Sequence, residues 1–275
     1  MAVMPVVHAL NYGSADTSRL RSPNVWRGFN SAAVLAGEID GFYHKDDFTS
    51  GGLITSPTTE AALIGVPYSG FGSSGAVIRH GDAQFGTIEL EEATDNEAVY
   101  MKAETHPFKI SANLGLACLE ARLKVSAITD DQIGFIFGLF DTTAMTVIVP
   151  LSTANPPIFA TTGNFVGFWG REQDAGAVRS TYVADGVTAV TVEAAVHQFV
   201  ADTYVKLALR FDPKDNYLRF YVNNIEEAEK KLIPDDTGTD FPADVRLAPF
   251  LGMRLGGSTT STLTMDWWEY GQLGV

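Results

Sequence analysis

The chain is poor in cysteine and in positive charge. Cys118 is the only cysteine in 275 residues, so no intramolecular disulfide can form and the fold needs no oxidising compartment. Against 33 Asp and Glu there are only 19 Lys and Arg, a formal net charge of -14. Such a charge repels nucleic-acid phosphates and anionic membrane surfaces. We therefore expect neither nucleic acid nor membrane among the partners.

Secretion and membrane signals are also missing from the sequence. The first ten residues contain no positively charged region, and Pro5 and His8 interrupt their apolar run. The longest uncharged stretch, residues 142–170, contains Pro150, Pro156 and Pro157, which a lipid-facing helix does not easily accommodate. We predict no signal peptide and no transmembrane span. Export would then require cell lysis or a dedicated machine.

Residues 203–224 carry the clearest pattern, two alternating strands joined by a turn at residues 212–216. Lys206 and Arg210 share one face of the first strand, opposite its apolar residues. Pro213 presets the turn, and Asp and Asn favour turns. The alternation has the period of half-buried strands and predicts a β-hairpin over a core. The predicted inward-facing residues are Val205, Leu207, Leu209, Phe211, Leu218, Phe220 and Val222.

Strand patterns recur at short spacing from residue 46 onward. Residues 225–232 alone suggest a helical turn, and their mixed charges favour a solvated edge strand or loop. Residues 116–125 alternate so that Glu120, Arg122 and Lys124 share a wet face. Many short strands with hardly any helix predict a β-sandwich or barrel. The predicted strands lie near residues 76–80, 84–91, 97–103, 116–127, 132–141, 163–171, 178–184, 188–198, 203–211, 217–224, 246–256 and 262–271.

Two segments, residues 132–140 and 165–169, have apolar residues on both faces. Strands of this kind are covered on both sides or line a groove. We expect loops or the amino-terminal arm to cover them.

Residues 1–45 form an arm that differs from the rest of the chain. No acidic residue lies between Thr17 and Gly37, so the arm is locally basic on an acidic protein. Its composition alone fits a solvated tail, but its apolar residues are too many for a tail kept in water. We expect it to lie on a partner or on its own sandwich. The predicted partner-binding residues are Arg19, Arg21, Trp26, Arg27, Phe29 and Phe42.

The hairpin at residues 204–224 resembles a family signature. The hairpin has an aromatic residue, an apolar alternation, an Asp and a closing Leu-x-Phe-Tyr-Val-Asn. This pattern is similar to the one found in concanavalin A-like lectin/glucanase sandwiches, including laminin G-like domains. Asp46-Asp47-Phe48 would open this domain and residues 263–268 would close it, since the first and last strands pair in that fold. The resemblance implies an all-β, two-sheet antiparallel jelly-roll sandwich over residues 46–275. It looks like the arm-bearing domains in virion proteins of tailed bacteriophages.

The family's glucanases place paired carboxylates on one concave face, about 5 Å apart, in a Glu-x-Asp-x-Glu or Glu-x-Asp-x-x-Glu strand. Here Glu38-Ile39-Asp40 lacks the closing Glu and lies upstream of the sandwich. Glu89 and Glu91 share a face, but within an acidic surface. Asp266 and Glu269 are three positions apart and would face opposite ways. We therefore predict no catalytic residues.

No cofactor is predicted either. Residues 212–216 and 235–240 carry oxygen ligands that calcium prefers, but a turn and a solvated acidic loop explain them without a metal. The five histidines lack metal-ligand spacing, and Cys118 is expected to be an inert thiol. Sugar binding without a metal would use exposed aromatic rings, and Trp267 and Trp268 must face opposite sides. The candidate rings are Trp169, Trp267, Trp268 and Tyr270.

These observations and the resemblance predict a non-enzymatic structural protein of a bacteriophage virion. We expect a decoration or cement protein that binds the outer capsid shell through its arm and sandwich. The expected partners are the major capsid protein, other virion proteins and further copies of the chain. The acidic charge fits the outside of a shell. The alternative is a carbohydrate-binding module for cell-surface adhesion, and a glycoside hydrolase is the third class.

Overall fold

The computed structural model describes residues 18–49, 61–63, 67–73, 75–81, 86–112, 114–129, 132–141, 163–185, 190–228, 231–232 and 240–274. These ranges contain one α-helix, α1 (Ser31–Leu35), a 3₁₀ helix at Glu172–Asp174, and eighteen strands. Strands β1 to β9 are Gly41–Asp46, Ala61–Ala62, Tyr68–Gly72, Val77–His80, Ile88–Glu92, Ala98–Ala103, Phe108–Lys109, Ala117–Val125 and Ile133–Phe140. Strands β10 to β18 are Phe165–Gly170, Ala177–Val183, Val190–Gln198, Val205–Asp212, Tyr217–Val222, Ile225–Glu226, Lys231–Leu232, Arg246–Leu255 and Ser261–Leu273.

The strands form two antiparallel sheets. The first has the order β15-β14-β13-β8-β18-β5-β4, with β1 also paired to β18 and β16 to β14. The second has the order β12-β11-β10-β9-β17-β6-β3-β2, with β7 also paired to β17. Side chains from both sheets, such as Leu209, Phe137 and Trp268, share one buried core. The predicted two-sheet jelly-roll sandwich is confirmed. No helix in the described ranges is long and apolar enough to cross a membrane.

The predicted hairpin is β13 and β14. Leu207 pairs with Val222 and Phe211 pairs with Leu218, as the alternation requires. The turn ends at Asn216 with a φ of 60°, a conformation that Asn tolerates better than most residues. All seven predicted inward-facing residues are buried in the core, which confirms the assigned face.

Each predicted strand segment overlaps an observed strand. Residues 225–232 include β15 and β16 at the edge of the first sheet, as expected for an edge strand. Alternation does not indicate β1, β2, β3 or β7. Strand β3 contains Gly70 and Gly72, which suggest a loop. A Cβ atom at Gly70 would lie 2.4 Å from Ile78 Cδ1, so glycine permits close packing inside a strand here.

Strand β1 connects the arm to the sandwich. It pairs with β18, from Gly41 opposite Leu273 to Asp46 opposite Trp268, so the first sheet already begins within residues 1–45. Upstream, the Asn30 side chain caps α1 by accepting a hydrogen bond from the Ala33 amide at 3.1 Å. Residues 18–40, which precede β1, are called the strap below.

Candidate functional site

The strap packs on the outer face of the first sheet, the face turned away from the main core. Val25, Trp26 and Phe29 form a separate buried cluster there with side chains of β8, β13 and β14. The prediction that this face is wet is wrong, because the strap covers it. Glu120 and Lys206 on this face are consequently almost completely buried.

Glu120 on β8 is bound directly by the strap. Its carboxylate accepts hydrogen bonds from the Ser22 amide at 3.0 and 3.2 Å and from Trp26 Nε1–H at 2.7 Å. Desolvation raises the pKa of Glu120, and the bonds from Ser22 and Trp26 oppose that rise. The strap thus supplies the donors that a buried carboxylate needs.

Two basic residues of β13 hold the strap backbone. Lys206 Nζ donates to the Leu20 carbonyl at 3.0 Å. Arg210 Nη1 donates to the carbonyls of Val25 at 2.7 Å and Arg27 at 2.6 Å. Buried carbonyl oxygens require donors, and sheet side chains provide them here. The strap and the sheet therefore satisfy each other's polar groups.

Asp266 and Glu269 on β18 both bind the strap, so the prediction that they face opposite ways is wrong. A β-bulge at Asp266 shifts the register of β18 against β8 and interrupts the alternation. Asp266 forms ion pairs with Arg19 of the strap and Arg122 of β8. Glu269 forms an ion pair with Arg21 of the strap.

The two carboxylate oxygens of the fully buried Glu269 have different surroundings. Oε1 accepts hydrogen bonds from Arg21 Nη1 at 3.0 Å and from the Tyr43 hydroxyl at 2.8 Å. Oε2 receives no hydrogen bond from the described residues, and Lys45 Nζ lies 3.9 Å away. Burial and the charge of Glu269 raise the pKa of Tyr43, which keeps the phenol protonated as a donor.

A cleft of about 450 Å³ lies between the strap and the first sheet at Glu269. The side chains of Arg21 and Lys45 are 38% and 45% exposed there. The volume is in the range of small-molecule sites, so this cleft is the candidate functional site. Its lining residues are Leu20, Arg21, Pro23, Trp26, Ser31, Tyr43, Lys45 and Glu269.

The predicted partner-binding aromatics of the arm pack within the chain. Trp26 and Phe29 are buried, with their rings edge-on at 5.2 Å. Phe42 packs edge-on against Phe108 of the core at 5.1 Å. The described part of the arm, residues 18–45, therefore lies on its own sandwich, one of the two surfaces expected for it. Burial of these rings does not depend on a partner.

The predicted arginines divide between the sandwich and solvent. Arg19 and Arg21 pair with acidic residues of β18, whereas Arg27 is exposed. Binding of a partner by these arginines and by the arm aromatics stays a prediction.

The strap also presents exposed apolar side chains that are not among the predicted partner-binding residues. Leu20, Leu35 and Ile39 are 60%, 69% and 40% exposed. Only Val200 and Ile225 are further exposed large apolar residues in the described ranges. The strap has no regular period, so no pattern separates its exposed apolar residues from its buried ones.

The outer face of the second sheet is also covered. Strands β9 and β10 are buried along their whole length, as predicted for strands apolar on both faces. Tyr100 and Phe250 belong to an aromatic cluster on this sheet, and Phe71 stacks on Tyr100 at 5.1 Å. Trp169 is buried below the Arg179 guanidinium, 5.0 Å from its ring centroid. Trp169 is therefore not an open platform for a sugar.

The other candidate stacking rings are buried too. Trp268 lies in the core, where its Nε1–H donates to the Tyr68 hydroxyl at 2.9 Å. Trp267 lies on the strap-covered face with Lys45 Nζ 5.9 Å from its ring centroid. The prediction that the two tryptophans face opposite sides is confirmed. Tyr270 is buried in the core.

The described residues contain no group of three His, Cys, Asp or Glu side chains placed to hold a metal ion. At the first calcium candidate, Asp212 pairs with Arg210 at 2.8 Å and Asp215 pairs with Arg219. These arginines occupy the oxygens that a cation would need. In the second candidate, residues 235–239 lie outside the described residues.

Two further candidates from the sequence, the pair Glu89 and Glu91 and the thiol of Cys118, lie in surroundings that oppose a catalytic role. Glu89 and Glu91 do share a face of β5, and Arg79 of β4 binds them at 3.0 and 2.7 Å. Cys118 is buried, which raises its pKa to about 12, and its Sγ donates to the Val25 carbonyl at 3.3 Å. A thiol kept protonated is a poor nucleophile, in line with the inert role expected for it.

No protein-family model matches the chain, and no curated protein matches it by sequence. Solved structures do resemble it. A protein of unknown function from Shewanella oneidensis has a TM-score of 0.54 and 11% identity, covering 90% of this chain and 95% of its own. An endo-acting O-glycanase structure from the human gut microbiota has a TM-score of 0.51 and 13% identity, covering 84% and 98%.

A β-1,3-glucanase from Mycobacterium marinum gives a TM-score of 0.50 at 12% identity, covering 82% of this chain and 97% of that one. Identities this low establish the fold alone. The two antiparallel sheets and the pairing of the first and last strands agree with the comparison. The chain thus has the concanavalin A-like lectin/glucanase sandwich fold.

Proposed function

We propose that the protein is a non-enzymatic structural protein of a bacteriophage virion, a decoration or cement protein that binds the outer capsid shell. The two-sided strap carries this proposal. Its inner side is fixed to the sandwich by buried polar contacts, and its surface presents Leu35 and Ile39 to solvent, while the exposed Leu20 lines the cleft at Glu269. Apolar side chains held on a rigid support are suited to docking. The major capsid protein, another virion protein or a second copy would bind this side.

Charge supports a position on the outside of a shell. The net charge of -14 opposes contact with a packaged genome. Arg27 is exposed on the strap, where it adds a local positive charge for an acidic partner surface. Apolar contact and local charge would then act together at one surface.

Cosedimentation with expanded capsids that lack the protein tests this proposal. The double variant Leu35→Ser/Ile39→Ser should bind at least about tenfold more weakly than the wild type, because both changes remove exposed apolar contact area. The matched control is Val200→Ser/Ile225→Ser, which removes comparable exposed residues outside the strap and should bind normally. Equal binding by both double variants, or no binding by the wild type, would refute docking through the strap.

A second candidate function is carbohydrate binding. The observation that favours it is the cleft at Glu269, where a buried acceptor oxygen without a hydrogen bond lies beside the partly exposed Arg21 and Lys45. Sugar hydroxyl groups donate and accept hydrogen bonds, so they suit such a mixture. The fold is shared with an O-glycanase and a glucanase, which adds weaker support. Binding to a glycan array tests this function, and an array without any positive glycan would reject it.

A further inference from the structure

At the cleft by Glu269, Arg21 and Lys45 carry N–H donors that are not hydrogen-bonded to any acceptor of the cleft. In the described ranges, Arg21 makes side-chain hydrogen bonds only through Nη1, to Glu269 Oε1 and to Ser31 Oγ at 3.2 Å. Nε and Nη2 of Arg21 therefore stay available. The Lys45 ammonium is 3.9 Å from Glu269 and makes no closer polar contact there. These donors favour a ligand with oxygen acceptors, and above all an anionic one.

The cleft also has one acceptor without a donor. Glu269 is fully buried, yet its Oε2 receives no hydrogen bond from the described residues. Oε2 has almost no accessible surface, so Arg21 and Lys45, rather than a ligand, lie close enough to compensate the buried carboxylate. Two cations and one carboxylate give the lining a net positive charge, although the whole protein is acidic.

We propose that this cleft binds an acidic sugar residue of the uronic or sialic acid type. The ligand carboxylate binds Arg21 and Lys45, whose side chains are partly exposed, and the carbon face of the sugar contacts Leu20 and Pro23. Trp26 is not the stacking surface, because the Arg21 guanidinium lies 5.5 Å from its ring centroid. This inference rests on the second proposed function, carbohydrate binding.

Titration calorimetry with single glycosides tests the site. The probes are the methyl glycosides of glucuronic acid and N-acetylneuraminic acid, with methyl glucoside as the neutral comparison. At least one acidic glycoside should bind more tightly than methyl glucoside by about tenfold or more, as expected for a charge-assisted contact. Added salt should weaken this binding, because the contacting cations are partly exposed.

Lys45→Ala is the decisive variant, since the side chain is half exposed and its loss leaves the core intact. It should weaken binding of the acidic glycoside by about tenfold or more. Lys109→Ala is the matched control. Its side chain is 44% exposed and pairs with Asp244 at 2.9 Å outside the cleft, so its affinity should equal that of the wild type.

Three results would overturn the inference, and they separate it from the function on which it rests. Equal affinity for acidic and neutral glycosides would show that the cleft does not select an anionic ligand. Unchanged affinity of Lys45→Ala for the acidic glycoside would show that the glycoside binds outside this cleft. Carbohydrate binding by the protein would still stand. Absence of binding by every probe up to about 10 mM, with a negative glycan array, would reject the site and the carbohydrate function together.

Discussion

Glu120 shows why alternation assigns a face but not its surroundings. The pattern of β8 correctly places Glu120 opposite the core, yet this side chain is buried. Its donors Ser22 and Trp26 are 98 and 94 positions away in the sequence. No pattern near β8 contains that information. At this scale, the sequence predicts which side a residue is on, and tertiary contacts decide whether that side meets water.

Acidification should stabilise the folded chain through Glu120. Desolvation raises its pKa above the ordinary value of 4.5, so the folded state holds this proton at pH values where the unfolded chain has lost it. The resulting stability is fully present below pH 4.5 and is lost as the pH rises through the folded pKa. Urea unfolding at a series of pH values measures this effect. As the pH rises through the folded pKa of Glu120, the Glu120→Gln variant should lose less stability than the wild type. Identical pH dependence would contradict a raised pKa.

Leu209→Ala should lower the free energy of unfolding by roughly 2 to 5 kcal/mol, because it leaves a cavity between the sheets. Leu35→Ala is the control, and its exposed position should limit the change to about 0.5 kcal/mol. Both values come from urea unfolding. A similar small loss in the two variants would show that Leu209 is not in the core.

Among the elements, strands with regular alternation were predictable and irregular ones were not. The hairpin of β13 and β14 has a strict period of two and a turn rich in turn-forming residues, so its register follows from local chemistry. Strand β3 contains glycines that serve close packing, and β18 contains a bulge at Asp266. Both features break the period on which the prediction depends.

Deletion of residues 1–40, which leaves β1 in the chain, should lower the melting temperature of the protein. The deletion exposes the apolar cluster below Trp26 and removes the partners of Glu120, Asp266 and Glu269. Exposing buried apolar side chains to water costs free energy, so the sandwich should become less stable. Differential scanning calorimetry measures the change. An unaltered melting temperature would mean that the strap contributes nothing to the sandwich.

For the whole molecule, the fold was predictable and the candidate site was not. The fold follows from many short strands and one hairpin signature, which are local features. The cleft combines the strap, β1 and β18, and its ion pair between Arg21 and Glu269 joins positions 248 apart. Trp26 and Arg21 stand out in the sequence as an aromatic and a cation. Only the tertiary structure shows that Trp26 donates to the buried Glu120 and that Arg21 pairs with the buried Glu269.

The purified protein should release no reducing sugar from a broad polysaccharide panel. Asp266 and Glu269 lie on the strap-covered face, where arginines bind them and the chain buries them. Glycosidases need two carboxyl groups that both reach the glycosidic bond, whereas Asp266 is bound by Arg19 and Arg122. Sugar release that is abolished by Glu269→Gln would contradict the proposed non-enzymatic role.

Hydrogen exchange in the free, full-length protein tests most directly whether the strap is a fixed layer of the fold. The Ser22 amide and the Trp26 indole N–H donate to Glu120, so both should exchange as slowly as the amides of β13, within about tenfold. Exchange of these two groups at the rate of an unstructured peptide, while β13 stays protected, would show that the strap is not fixed to the sandwich and would contradict the account.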